Sequence, residues 1–215
     1  MKYLIPILLL FASSHAQAQS KLSVGPVAGG NASGVNLHKA DAANGPHLDF
    51  NSLLSWQAGL FVAYRASERS SFSIQPVFVR RRSSYATDFG TPHIRVDYLE
   101  IPVLYRYHIS KKFFAEAGAY AGFRLDGRSF LNGEEIQSAF GTLTDWQADT
   151  DLGGILGIGY KISGPLHLSL RFAQGLADLY PDLQYTDNTG QPLRERPIYL
   201  NRSVSLQLSY DLLYR

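Results

Sequence analysis

The chain has no cysteine, which excludes disulfides, thiolate-bound zinc and thiol chemistry. A fold without cross-links must be held by something else. Past the first twenty residues there is no apolar run approaching the roughly 20 residues that a membrane-spanning helix needs. There is also no charge excess, with 20 Lys and Arg against 18 Asp and Glu and a formal net charge of +2. A bulk electrostatic case for nucleic acid is therefore missing, and no nucleic-acid partner is expected. The loop acids Asp41, Asp88, Asp145, Asp149, Asp178 and Asp187 form no calcium-loop spacing, and they read as solvated loop charge. No metal or cofactor is expected.

What is present begins at the N-terminus. Lys2 precedes an apolar run from Tyr3 to Phe11, followed by small and polar residues ending Ala16-Gln17-Ala18. That order is a secretory leader cleaved after Ala18. No cysteine stands nearby to carry a lipid. The expected division is a signal peptide at 1–18 and one domain at 19–215. With 13 Tyr and 12 Phe, the chain is aromatic enough to build interfacial girdles.

The dominant signal is a period of two. In Asp97 to His108, Leu99, Ile101, Val103, Tyr105 and Tyr107 fall on one face, and Glu100, Arg106 and His108 on the other. Seven more segments alternate in the same way, at about 21–35, 54–66, 71–83, 112–126, 147–161, 165–176 and 200–213. In the last, Val204, Leu206, Leu208, Tyr210 and Leu212 oppose Ser203, Ser205, Gln207 and Ser209. Each face repeats over the roughly 9–11 residues that a tilted strand needs to cross a bilayer. Short turns at 66–70, 110–112 and 163–165 alternate with long polar loops at about 36–53, 84–93, 127–146 and 177–199.

This asymmetry predicts an all-β fold. It is an eight-stranded antiparallel up-and-down transmembrane β-barrel with short periplasmic turns and long extracellular loops, in the outer membrane of a Gram-negative bacterium. Closure is expected because an open edge in hydrocarbon leaves backbone groups unpaired. Pro26, Pro76 and Pro102 lie inside proposed strands, so bulges are expected there, with a change of facing beyond Pro102.

Eight strands enclose an interior that side chains can fill. The inward set includes Gln57, Arg65, Gln75 and Gln207, with a lumenal charge network of Glu100, Arg106, His108, Glu116, Arg124, His167 and Arg171. Arg80-Arg81-Arg82 ends the third strand on the long-loop side, where arginine forks suit lipopolysaccharide phosphates. No catalytic residue is assigned and an enzyme is not expected. His167-Leu168-Ser169 with Glu100 or Glu116 is the weak case for a lipid A-modifying enzyme, and it points into the lumen. A narrow small-solute channel is the other alternative. The run Gly153-Gly154-Ile155-Leu156-Gly157-Ile158-Gly159 is no nucleotide fingerprint, since no crossover helix follows it. Its glycines read as room for lumenal arginines or tyrosines.

Within this layout, the string Tyr98-Leu99-Glu100-Ile101-Pro102-Val103-Leu104-Tyr105 resembles the mark of the PorT-like outer-membrane β-barrel family of Bacteroidota, over about residues 22–215. The resemblance implies a structural, binding or secretion-accessory protein. One branch of that family takes part in secreting gingipain-like proteases. The partners expected are outer-membrane lipid and lipopolysaccharide, and an envelope or secretion-machinery protein. The barrel itself is expected to be a monomer.

Overall fold

The computed structural model describes residues 21–37, 50–86, 90–136, 145, 147–181 and 198–213. The leader at 1–18 and the greater part of the loops after 37, 136 and 181 lie outside the described residues. Ten strands follow in chain order: β1 (Leu22–Leu37), β2 (Phe50–Arg65), β3 (Ser70–Ile74), β4 (Val77–Tyr85), β5 (His93–His108), β6 (Phe113–Leu131), β7 (Glu134–Glu135), β8 (Thr150–Ser163), β9 (Leu166–Gly175) and β10 (Tyr199–Tyr210). All belong to one antiparallel sheet whose pairings return on themselves. β1 pairs with β2, β2 with β3 and β4, and both of these with β5. The series continues through β6, β8, β9 and β10, and β10 pairs back to β1.

β3 and β4 lie end to end between β2 and β5, separated by Gln75 and Pro76. The amide of Gln75 donates to the Pro102 carbonyl at 3.0 Å, and that of Leu60 to the Pro76 carbonyl at 3.1 Å. In an antiparallel ladder, a residue's N–H and C=O point to the same neighbour. The donor that Pro102 lacks would therefore face the interruption between β3 and β4, where its loss costs the ladder little. This corrects the expected bulge at Pro102. The residue keeps its register opposite Tyr120, and no change of facing follows, because Val103 and Tyr105 stay exposed while Leu104 is buried. Pro26 likewise keeps its register opposite Leu60, and the β1–β10 ladder begins one residue beyond it, at Val27. The irregularities fall instead at Leu53/Gln57, Asp97/Tyr98 and Lys161/Ser163. At the second, Leu125 is the extra residue, since Asp97 pairs with Asp126 and Tyr98 with Arg124.

The outer face is apolar. Leu54, Trp56, Leu60, Leu152, Leu156, Ile158, Val204, Leu206 and Leu208 are all exposed. So continuous an apolar surface belongs in hydrocarbon rather than water. On β5 it runs from Leu99 to Tyr107, and such a length of tilted strand covers about 20 Å, close to the height of a membrane belt. Tyr64, Phe72, Tyr105, Tyr107, Phe113 and Tyr210 close it at the short-turn end. There Phe72 packs on Tyr105 at 5.3 Å and Phe113 on Tyr160 at 5.0 Å between ring centroids. At the other end the strands outrun the belt. β6 continues to Leu131 and turns through Asn132 (φ 52°) and Gly133 (φ 89°) into β7, an Asn-Gly hairpin inside what reads in the sequence as a loop.

The glycine run has the packing role expected of it. A Cβ on Gly153 would enter the Tyr120 ring, and one on Gly159 the Phe114 ring. Gly154 faces outward, with only a carbonyl 3.9 Å away. Gly159→Val is expected to lower stability by about 1–3 kcal/mol, the usual cost of overpacking, while Gly154→Val leaves it unchanged. Urea unfolding in detergent micelles measures both.

Candidate functional site

The interior is held by two clusters of buried charge, each built on the same device. Across β5, β6 and β8, Glu100, Gly122 and Asp151 are register partners. Across β6, β8 and β9, so are Glu116, Gly157 and Arg171. In each row a glycine occupies the middle strand, and the two charged side chains reach over it. A Cβ on Gly157 would stand 3.0 Å from Arg171 Cγ and 3.0 Å from the Leu170 carbonyl oxygen.

In the cluster nearer the long loops, Asp151 is 1% exposed and one of its oxygens gathers three donors. Its Oδ2 accepts from Arg81 Nη1, Tyr120 Oη and Asn201 Nδ2, each at 2.8 Å. Arg81 Nη2 donates to Glu100 Oε2 at 3.0 Å. The guanidinium lies 5.1 Å from the Tyr98 ring and 5.5 Å from the Tyr120 ring, and cation–π attraction adds to the ion pairs. Gln147 Nε2 donates to the Tyr98 hydroxyl at 2.7 Å.

In the other cluster, Glu116 accepts from two arginines. Arg106 Nη2 and Nε reach Oε1 at 2.6 and 3.0 Å. Arg171 Nε reaches Oε2 at 2.7 Å and Nη2 reaches Oε1 at 3.2 Å. Arg171 Nη1 donates to Gln75 Oε1 at 2.7 Å. Four pairings separate β9 from the β3–β4 line whichever way the sheet is followed, so this bond crosses the full interior. One cluster sets Arg81 against two carboxylates, and the other sets Glu116 against two guanidiniums. Across both, three cations meet three anions.

Of the residues expected in one network, Glu100, Arg106, Glu116 and Arg171 are brought into these two clusters. Arg124 is not in them. It pairs with Asp149 at 2.6 Å, and the Asp149 side chain is 84% exposed. His108 and His167 both stand against Phe114, with ring centroids at 5.9 and 6.1 Å, at the short-turn end. Arg65 is exposed there too.

Arg81 corrects the reading of the arginine triplet as a single rim cluster. Successive residues of a strand face opposite ways, so Arg80 and Arg82 point outward while Arg81, 5% exposed, turns in. Asp151, Tyr120 and Asn201 were missed as network members. Alternation with Gly153 and Ile155 marks Asp151 as inward, but only the strand register brings it to Arg81. For Ser169 and His167, Glu116 commits both oxygens to Arg106 and Arg171, which draws it away from orienting a histidine. Among the described residues no group of three His, Asp or Glu is arranged to hold a metal.

A family model described as an outer membrane protein beta-barrel domain matches residues 15–180. Among solved structures, the chain is similar to Ail, the attachment invasion locus protein of Yersinia pestis, at 11% identity, covering 89% of this chain and 99% of that one with a TM-score of 0.45. It is similar to Neisserial surface protein A at 10% identity, covering 89% and 97% with a TM-score of 0.46. It is also similar to OprG from Pseudomonas aeruginosa at 12% identity, covering 89% and 97% with a TM-score of 0.44. No curated protein matches the chain.

Breaking a buried ion pair from one side leaves a stranded charge, at a cost of about 3–5 kcal/mol. Glu116→Gln, which strands two arginines, is expected to lose at least that much stability in urea unfolding. Arg124→Ala breaks a pair open to solvent and is expected to lose about 1 kcal/mol or less.

Proposed function

Since the chain belongs to the outer membrane protein beta-barrel domain family, we propose that it is a monomeric, non-conducting barrel of the Gram-negative outer membrane. It reaches that membrane through a cleaved leader. Counting β3 with β4 as one interrupted stave, and β7 as the tip of the β6 hairpin, gives eight staves. The lumen is closed by its own side chains, and the working surface is the long-loop end. There the protein acts in a structural, binding or secretion-accessory role, within the PorT-like branch that the Tyr98 to Tyr105 string resembles.

The observation that carries the closed lumen is the set of bonds crossing it. Arg171 on β9 reaches Gln75 at 2.7 Å, and Arg81 on β4 reaches Asp151 on β8 at 2.8 Å. Asp151 also holds Asn201 on β10. Side chains tied from wall to wall at two levels leave ions no continuous path, since passing either level means parting a desolvated ion pair. The same bonds weigh against a channel.

Planar-bilayer recording tests this. Refolded protein is first shown to be inserted by its heat-dependent gel mobility. A flat current at applied voltage is expected, and discrete, reproducible conductance steps would contradict the closed lumen.

A further inference from the structure

The outer wall at the long-loop end carries charges that the lumen does not use. Arg80 grips Asp97 with two bonds of 2.8 Å. Arg95 reaches Asp97 at 4.0 Å and Asp126 at 3.3 Å. Arg128 reaches Asp126 at 2.9 Å and Glu135 at 3.3 Å. This belt sits on top of the apolar band, with Arg80 5.5 Å from the Trp56 ring and Arg95 5.6 Å from the Phe130 ring. Among the described residues, Arg82 and Arg202 are exposed and belong to none of these ion pairs, and of the two Arg82 lines a recess.

Arg82 lies where the sheet is notched. The β2–β4 ladder breaks between Leu53 and Gln57, and side chains from β1 serve β4 instead. Asn31 Nδ2 donates to the Arg80 carbonyl at 3.2 Å, and the Arg82 amide donates to Ser33 Oγ at 3.1 Å. The break opens a groove of about 440 Å³ on the outer wall, lined by Leu54, Trp56, Arg82, His93, Arg95 and Phe130 among others. Three polar atoms in it are buried with no hydrogen-bond partner: Ser55 Oγ, His93 Nδ1 and Arg95 Nε. Three guanidiniums, of Arg80, Arg82 and Arg95, and an imidazole thus converge on a recess whose floor is aromatic and aliphatic.

We propose that this groove holds the phosphate of an acylated lipid of the outer leaflet. Arg82 and Arg95 donate to the phosphate oxygens, and the first methylenes of an acyl chain lie on Leu54, Trp56 and Phe130. The inference rests on the membrane reading. Planar guanidinium forks match phosphate geometry, and the top of the apolar belt is the level at which a lipid's charged group meets its chains. Arg80 lines the groove as well, but two hydrogen bonds hold its guanidinium on Asp97, whereas Arg81 is turned into the lumen.

The test uses the full chain in detergent, with heat-dependent mobility reporting the barrel separately. Native mass spectrometry follows titration with a diphosphorylated, hexa-acylated disaccharide lipid, with the same lipid after phosphatase treatment, and with inorganic phosphate as competitor. The phosphorylated lipid is expected to bind about tenfold more tightly than its dephosphorylated form, as the loss of a charge-assisted contact implies. Inorganic phosphate is not expected to displace it. Arg82→Gln is expected to remove about the same factor, and Arg128→Gln to leave binding unchanged. Equal binding of the two lipids, or an Arg82→Gln protein that binds like wild type, would overturn the proposal. Displacement by inorganic phosphate would overturn the lipid as the source. If Arg82→Gln does not fold, the wild-type comparison of the two lipids decides alone. An unchanged gel mobility of the wild type would sink the membrane reading itself.

Discussion

A strand placed in hydrocarbon must give its amides and carbonyls to other strands, because no water is there to take them. Everything else in this molecule depends on the ladder that satisfies this for the two ends of the sheet. Its eleven pairs run between β1 and β10, from Val27 with Ser209 to Leu37 with Tyr199. Without that ladder the first and last strands are open edges in lipid, and the apolar outer face has no reason to exist. With it, alternation sends one residue in two outward to lipid and the rest into a narrow interior.

The interior then has its own constraint. Charges that alternation turns inward are cut off from bulk water, and each must find a partner or lose its place. The two clusters answer this with glycine. Gly157 sits between Glu116 and Arg171, where a Cβ would crowd the arginine stem at 3.0 Å, and Gly122 sits between Glu100 and Asp151, which share Arg81. Gly153 and Gly159 make room for Tyr120 and Phe114 in the same way. The network and the glycines are one packing solution, in which the absence of a side chain on one strand makes room for a long one on the next. At the top of the wall, where the apolar band ends, charges reappear outside as the ladder from Arg80 to Glu135.

Much of the outer surface was legible in the amino-acid order. Leu152, Leu156 and Ile158 on β8, or Val204, Leu206 and Leu208 on β10, can be assigned to lipid from alternation alone. The inner face was legible as a set of residues but not as contacts. That Arg171 meets Glu116, and Arg124 does not, depends on strand register, which the period of two leaves open. Arg81 shows a different failure: a run of three arginines invites reading as one patch, although a strand must split it. The prolines misled because their cost depends on which neighbour the missing donor would face. Pro102 faces the Gln75–Pro76 interruption, so the strand passes through it undisturbed. Leu125, which carries the irregularity, has nothing in its local sequence to mark it.

Because the chain has no cysteine, closure can be read with a single cross-link. Ala32 on β1 and Val204 on β10 are register partners, and paired residues in an antiparallel ladder lie about 4.5–5.5 Å apart, within reach of a disulfide. The protein carrying Ala32→Cys and Val204→Cys, refolded and oxidised, is predicted to form an intramolecular disulfide that alters its denatured gel mobility and reverses on reduction. The shifted pair Ala32→Cys with Leu206→Cys is predicted to give little or none. If the Ala32→Cys, Val204→Cys protein stays uncross-linked, or links only between molecules, that result would contradict the closed sheet on which the account stands.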